Sequence, residues 1–333
     1  MVTISEIARA AGVSVSTVSK SLNGYAEISE KTKLKVRTVA EQMGYTPNAA
    51  AQSLVLKRAN TIGVVYEVEH GLKNLFFSAV LESFRKFVQS KGYDILFLSN
   101  NTENKLDYLK HSHSKNVDAV LVVSTSESYD EVKKLMSSDL AVMSLDPLEN
   151  VKNSIYSNSY DAIQQSCNYL YSLGHRSIAF INGSYTNFIG KERLRGYLDF
   201  IESKGLMPIY LDDYSNESYS FHDGYQTMKR LYEKYGLPEA VCTVSDLMAM
   251  GVIQYLTNKG HKVPDEVSVI GFDDLDICEI STPQLTTIRQ NYEEIGMRAG
   301  LALIDMLDNK KRDMDPIVVD TKIVVRNSCK PRN

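Results

Sequence analysis

TISEIARAAGVSVSTVSKSLNG, residues 3–24, carries two short amphipathic helical patterns separated by a single glycine. Thr3 and Glu6 have the spacing of a capping box, and Ile4, Ile7, Ala8 and Ala11 follow at helical intervals up to Gly12. Ser14 then suits the N-cap of a second helix over 15–22, with Val15, Val18 and Leu22 inward and Ser16, Thr17, Lys20 and Ser21 outward. Serine, threonine and valine are middling helix formers, so propensity does not explain why this helix is made of them. Asn23 and Gly24 end it. A third pattern, capped by Ser29 and running to Met43, places Val36, Val39, Ala40 and Met43 on one face, with Gly44 closing it. Two short helices joined by a tight turn and backed by a third make a helix-turn-helix head.

Beyond the head, Thr46 can cap and Pro47 can open a helix of about two turns within TPNAAAQSLVLKRAN, residues 46–60, too short to hold a core of its own. From Thr61 the texture changes to apolar strands alternating with amphipathic helices. The strands are TIGVVY, DILFLSN, AVLVVST, AVMSLD, SIAFING, AVCTVSD and SVIGFDD, and helical patterns lie near 75–91, 160–173, 190–204, 222–236, 247–259 and 292–308. This is α/β texture, with parallel sheets covered on both faces and a ligand crevice beyond the strand carboxyl ends. Seven strands exceed one small sheet.

Composition bounds the function. A chain of 333 residues, 43% hydrophobic and 23% charged, is that of a globular protein with real cores. No leader pattern opens it and no apolar run reaches the ~18 residues of a spanning helix, so the expected location is cytoplasmic, without membrane contact. The cysteines, Cys167, Cys242, Cys278 and Cys329, form no CxxC pair, which indicates neither a disulfide framework nor a thiolate zinc site. The net charge of −4 hides an asymmetry: residues 1–60 carry eight Lys and Arg against four acids, +4, which leaves −8 for the remainder. A basic head on an acidic body is the layout expected when only the head meets polyanion.

TISEIARAAGVSVSTVSKSLNG, EISEKTKLKVRTVAEQMGYTPN, AAQSLVLKRANTIGVV, SLGHRSIAFING, ERLRGYLDF, VSDLMAMGV, DEVSVIGFDD and PQLTTIRQNYEEIG together resemble the lactose and galactose repressor (LacI/GalR) family of bacterial transcription regulators. The likeness covers nearly the whole chain in the family's order and spacing. It implies a helix-turn-helix head over 1–46, a hinge helix and linker over 47–60, and a body over 61–333 resembling periplasmic sugar-binding proteins. The two lobes of that body would be about 61–159 plus 291–319, and about 160–290 plus 320–330. It further implies a homodimer whose heads bind a near-palindromic operator in double-stranded DNA. Recognition helices lie in the major groove with their N-terminal residues against base edges. By resemblance Val15 and Ser16 occupy the main base-reading positions and Lys20 stands where Arg is usual. Thr3, Ser14, Thr17, Asn23, Tyr45 and Asn48 are further DNA-binding positions. In the hinge, Leu54 takes the place of the residue that wedges between central base pairs, helped by Ala51 and Lys57.

The same resemblance places the effector site. Arg193 in ERLRGY matches the arginine that clamps ligand hydroxyls, and Asp273 in GFDD the carboxylate that accepts from them. Glu67, Phe76, Phe77, Asp146, Tyr219 and Tyr292 align with further wall positions, and Ser245 and Asp246 stand where the family usually has Asn and Asp. Likewise Asn158 and Ser159 replace the usual Asp-Asn. A charged fork, carboxylates and aromatic faces suit a polyhydroxylated, sugar-like effector, because buried polar groups must be paired. Effector and operator affinities would then be linked through lobe closure. Some relatives instead need a phosphorylated partner protein to bind DNA, which keeps a catabolite-control regulator open as an alternative.

An enzyme is disfavoured. Gly183 and Gly190 are wrongly spaced for a phosphate loop and Glu192 stands where its Ser or Thr would be. His111 and His113 lack a third ligand, and no cofactor is implied. A sugar-transport binding protein would fit the body but not residues 1–60. The ending VVRNSCKPRN bears no heptads, so a dimer rather than a coiled-coil tetramer is expected.

Overall fold

The protein is described from a computed structural model covering residues 2–45, 58–66, 74–98, 107–124, 129–145, 147, 152–212 and 219–332. It divides into two compact units, Met1–Asn60 and Thr61–Asn333. In the head, α1 (Ile4–Ala11), α2 (Val15–Leu22) and α3 (Glu30–Gln42) surround Ile7, Ala8, Ala11, Val18, Val36 and Ala40. Each helix is started by a hydroxyl. The Thr3 hydroxyl accepts from the Glu6 backbone N–H at 3.3 Å while the Thr3 N–H donates to the Glu6 carboxylate at 2.8 Å. Ser14 Oγ accepts from Thr17 N–H at 3.0 Å, and Ser29 Oγ from Thr32 N–H at 3.3 Å. Such caps satisfy amide donors that a helix start leaves open.

The inward face expected for α2 is corrected at two positions. Val15 is 50% exposed and Ser21 is fully buried beside Val18. Val15 is the first helical residue, and its side chain leans toward the helix N-terminus, off the edge of a small core. Ser21 lies three residues after Val18, on the same stripe, and is small enough to be enclosed.

The body begins with β1 (Thr61–Tyr66), α4 (Leu75–Ser90), β2 (Asp94–Phe97), α5 (Tyr108–Lys115), β3 (Ala119–Ser124), α6 (Tyr129–Met136) and β4 (Ala141–Ser144). These strands form a parallel sheet in the order β2-β1-β3-β4, and a bridge from Ser144 to Ser154 leads to β5 (Ile155–Ser157). The chain then crosses to a second sheet through α7 (Ser159–Ser172), β6 (Ile178–Ile181), α8 (Phe188–Ser203), α9 (Phe221–Tyr235), β7 (Ala240–Thr243), α10 (Asp246–Asn258), β8 (Ser268–Asp273), α11 (Ile277–Ile280) and β9 (Thr286–Gln290). It returns as α12 (Tyr292–Asn309), which packs on α4 in the first lobe. There a Cβ added at Gly296 would sit 2.4 Å from the Val80 carbonyl, so glycine sets how closely these helices approach. β10 (Ile317–Val319) pairs in parallel with β5, and β11 (Thr321–Val324) crosses once more to run antiparallel along β9. The second sheet reads β11-β9-β8-β7-β6.

Three crossovers therefore join the lobes, at 157–159, 290–292 and 319–321. The strands beside them, β5, β9, β10 and β11, and the polar helices α5 and α6 have no counterpart in the sequence expectation. Three- to five-residue strands carry too little alternation to be read, and HSHSK in α5 offers no apolar stripe.

Candidate functional site

The head presents its polar face around the start of α2. Val15 and Ser16 are exposed, Thr17 and Asn23 half-buried, and Thr3 and Ser14 exposed while their hydroxyls cap α1 and α2. Tyr45 is partly buried against the head core. Lys20 is not an unattached cation: its Nζ lies 2.5 Å from Glu27, both side chains about half exposed, and the neighbouring carboxylate raises the lysine's pKa. Glu27 thus masks a charge that could face phosphate or guanine. Replacing Glu27 with Gln is expected to tighten duplex binding a few-fold and to steepen its salt dependence, because each phosphate-paired cation adds about 0.9 to the slope. An unchanged slope in a titration from 50 to 200 mM salt would leave Lys20 without a phosphate role. Asn48, Ala51, Leu54 and Lys57 lie outside the described residues.

In the body, α8 carries Arg193 at a buried position, 7% exposed. Its Nε donates to Ser159 Oγ and one terminal nitrogen donates to the Val244 carbonyl, both at 3.3 Å. The guanidinium lies 4.2 Å over the Phe272 ring, a cation–π arrangement that fixes its plane. Asp273, at the end of β8, is 8% exposed and accepts from Gln290 Nε2 at 2.6 Å. Its φ of 116° and the 62° of Asp274 turn the chain through the left-handed region. Asp274 holds that turn by pairing with Arg289 at 2.5 Å and Arg326 at 2.7 Å. Burial pushes the Asp273 carboxyl well above the carboxylate range, the Asp246 carboxylate pushes it further, and Arg193 opposes both.

Asp246 is a correction to the expected wall. It is fully buried, with one carboxylate oxygen accepting from Thr287 Oγ1 at 2.6 Å and the other from Leu275 N–H at 2.8 Å. Both oxygens are engaged inside the lobe, so Asp246 stands behind the site and acts on Asp273 through space. Burial pushes its pKa up to about 6, against an ordinary carboxylate value near 4. The folded chain then holds a proton that the unfolded chain has released, so this group's stability contribution is full below about pH 4 and lost as pH rises through 6. Melting the protein from pH 4 to 7 should show Asp246→Asn declining less than the unmodified chain; equal declines would remove Asp246 as the source.

Ser245 Oγ donates to the Tyr219 carbonyl at 3.2 Å, and the Tyr219 hydroxyl accepts from Ser184 N–H at 3.4 Å. The Tyr219 ring lies so close to Gly183 that an added Cβ would meet it at 2.2 Å. The wall between Ser184 and Ser245 is thereby tied to the strand end after β6. Phe76, Phe77 and Tyr292 belong to the other lobe: all three are partly buried on its core, with the two phenylalanine rings 5.4 Å apart. Glu67 and Asp146 lie outside the described residues. The structure thus gathers Arg193, Phe272, Asp273 and Gln290, with Asp246 and Thr287 behind them. Gln290 and Thr287 had no sequence signal, since a glutamine and a threonine in a short strand announce nothing. Among the described residues no group of three or more His, Cys, Asp or Glu could hold a metal ion, and no helix is long and apolar enough to cross a membrane.

Comparison with known proteins matches residues 3–48 to the family model for bacterial regulatory proteins, lacI family, and residues 167–329 to that for a periplasmic binding protein-like domain. The HTH-type transcriptional repressor PurR of Vibrio parahaemolyticus serotype O3:K6 (strain RIMD 2210633) is 30% identical over 339 residues, covering 100% of both chains. The probable HTH-type transcriptional repressor ExuR of Bacillus subtilis (strain 168) is 30% identical over 337 residues, covering 99% of each. Among solved structures, the lac repressor dimer bound to operator and the anti-inducer ONPF is similar with a TM-score of 0.84 at 22% identity, covering 99% of both chains, a likeness of fold.

Proposed function

Because the chain belongs to the lacI family of bacterial regulatory proteins and is a DNA-binding transcriptional regulator, we propose that it represses carbohydrate uptake or catabolism genes as a homodimer, under control of a small sugar-like effector held between the lobes. The observation that carries the effector reading is the opposed pair Arg193 and Asp273, both buried, Arg193 stacked on the Phe272 ring next to Asp273 and Asp273 joined to Gln290. A guanidinium fork donates, a carboxylate accepts, and a raised pKa lets that carboxyl donate as well. Vicinal hydroxyls, each able to donate and to accept, supply partners for both groups.

Gln290 also gives a route to the head-bearing end of the chain. It is the last residue of β9, at the crossover into α12, so a ligand that competes for Asp273 alters a hydrogen bond at the pivot between lobes. Effector and operator affinity then change each other by one factor. Screening aldohexoses, pentoses and uronic acids by thermal shift on the full chain tests the ligand class, since a compound bound only by the folded state raises its melting temperature. Selection of duplexes from a random pool tests the operator, with a two-fold repeated half-site as the expected product. Hits confined to nucleobases or amino acids would overturn the sugar assignment.

A further inference from the structure

Glu27 differs in its surroundings from other acids of the head. Glu6 closes the cap of α1, and Glu30 pairs with Lys33, whose side chain is 9% exposed. Glu27 instead lies in the turn between α2 and α3, with its side chain 56% exposed and its carboxylate 2.5 Å from Lys20 Nζ. Lys20 follows Ser16 by one helical turn, so the two share the polar stripe of α2, which Asn23 extends. A carboxylate on that side repels phosphate and lowers affinity for any duplex. An exposed ion pair returns little stability against that loss.

In a major groove the same pair has a use. An ammonium has three N–H donors; one goes to Glu27 and two remain. Guanine sets two acceptors, O6 and N7, side by side on its groove edge, whereas thymine sets one, O4, beside a methyl group. The Glu27 carboxylate only accepts, and the donors on the groove floor are the amino groups, N4 of cytosine and N6 of adenine. Guanine O6 and cytosine N4 face each other across a single base pair, so an ammonium and a carboxylate already in contact match them together. A lysine without such a tether swings on its flexible stem toward the nearest phosphate. We propose that Glu27 is a specificity-determining residue of the head: it holds Lys20 over the bases, and the two side chains jointly select a G·C pair, guanine beneath Lys20 and cytosine beneath Glu27. The role rests on α2 being the helix that reads base edges.

Duplexes selected from a random pool with the full chain supply the operator, and 7-deazaguanine placed at each guanine in turn locates the contact. At one position the loss of N7 should weaken binding by the unmodified chain and leave binding by Lys20→Ala unmoved. Exchanging G·C for any other pair there should cost the unmodified chain about tenfold or more in competition titrations. Glu27→Ala should reduce that preference to within about threefold, and Glu27→Gln, which keeps the shape without the charge, should also reduce it. Both variants should gain a few-fold on random-sequence duplex and melt near the unmodified chain. The role is overturned if no guanine behaves in this way, or if both variants keep the full preference. It is equally overturned if both variants lose operator and random duplex in parallel with a lowered melting temperature, which would make Glu27 a brace of the turn. In each of those cases α2 remains the reading helix so long as the double variant Val15→Ala, Ser16→Ala loses operator and keeps random duplex. A parallel loss in that variant would remove α2 as the reader, and the role of Glu27 with it.

Discussion

Replacing Arg193 with alanine is expected to lower affinity for whichever sugar raises the melting temperature by at least ~100-fold, while leaving binding to selected duplexes in the absence of ligand within a few-fold. The magnitude follows from two charge-assisted hydrogen bonds of about 1.5–3 kcal/mol each, at about 1.4 kcal/mol per decade. Alanine also leaves Asp273 and Asp246 without the cation that opposes their mutual repulsion, and it strips the Phe272 ring of its partner. Some loss of stability is therefore expected with it. Arg193→Lys separates the two effects. Lysine keeps a charge near Asp273 but has no planar fork, so the melting temperature should recover more than ligand affinity does. Calorimetry on both variants decides the matter. Unchanged affinity in either would remove Arg193 from the site, and equal recovery of affinity and stability would reduce it to a structural ion.

The second large effect lies in the head. The double variant Val15→Ala, Ser16→Ala should bind its selected operator about 10- to 1,000-fold less tightly, because each lost base-edge contact costs about 1–3 kcal/mol. Its affinity for random-sequence duplex should not move, since phosphate contacts from the basic head are untouched. Val15 is half exposed and Ser16 exposed, so truncation removes nothing from the Ile7, Val18 and Val36 core. Alanine also favours helix at both positions. The melting temperature should hold or rise, which makes the variant a clean probe. Competition titrations with operator and random duplex in one salt provide the measurement. A parallel loss on both would mean that α2 serves affinity and not sequence choice.

Much of the molecule could be read before any contact was known. Thr3, Ser14 and Ser29 announced three helix starts, and each hydroxyl accepts the backbone N–H expected of it. Helices over Leu75–Ser90, Ser159–Ser172, Phe221–Tyr235 and Tyr292–Asn309 lie where the periodic patterns put them, and the seven apolar runs are strands. These are local matters. Capping, glycine placement and hydrophobic period act within one turn or one strand, so a short window of sequence contains their cause.

What the tertiary structure decided has its cause far away in the chain. Val15 turned outward and Ser21 inward because α2 starts beyond the edge of the head's small core and reaches it only from Val18 onward. Asp246 left the expected wall because Thr287, 41 residues on, and the Leu275 amide occupy both its oxygens. Gln290 joined the site because β8 and β9 pair side by side, bringing its amide to Asp273. The last two strands part company between lobes, β10 beside β5 and β11 beside β9, across Asp320 alone. Periodicity can name a residue's face, but which partner that face meets depends on sheet register and on the burial of charge, and both are set by segments distant in sequence.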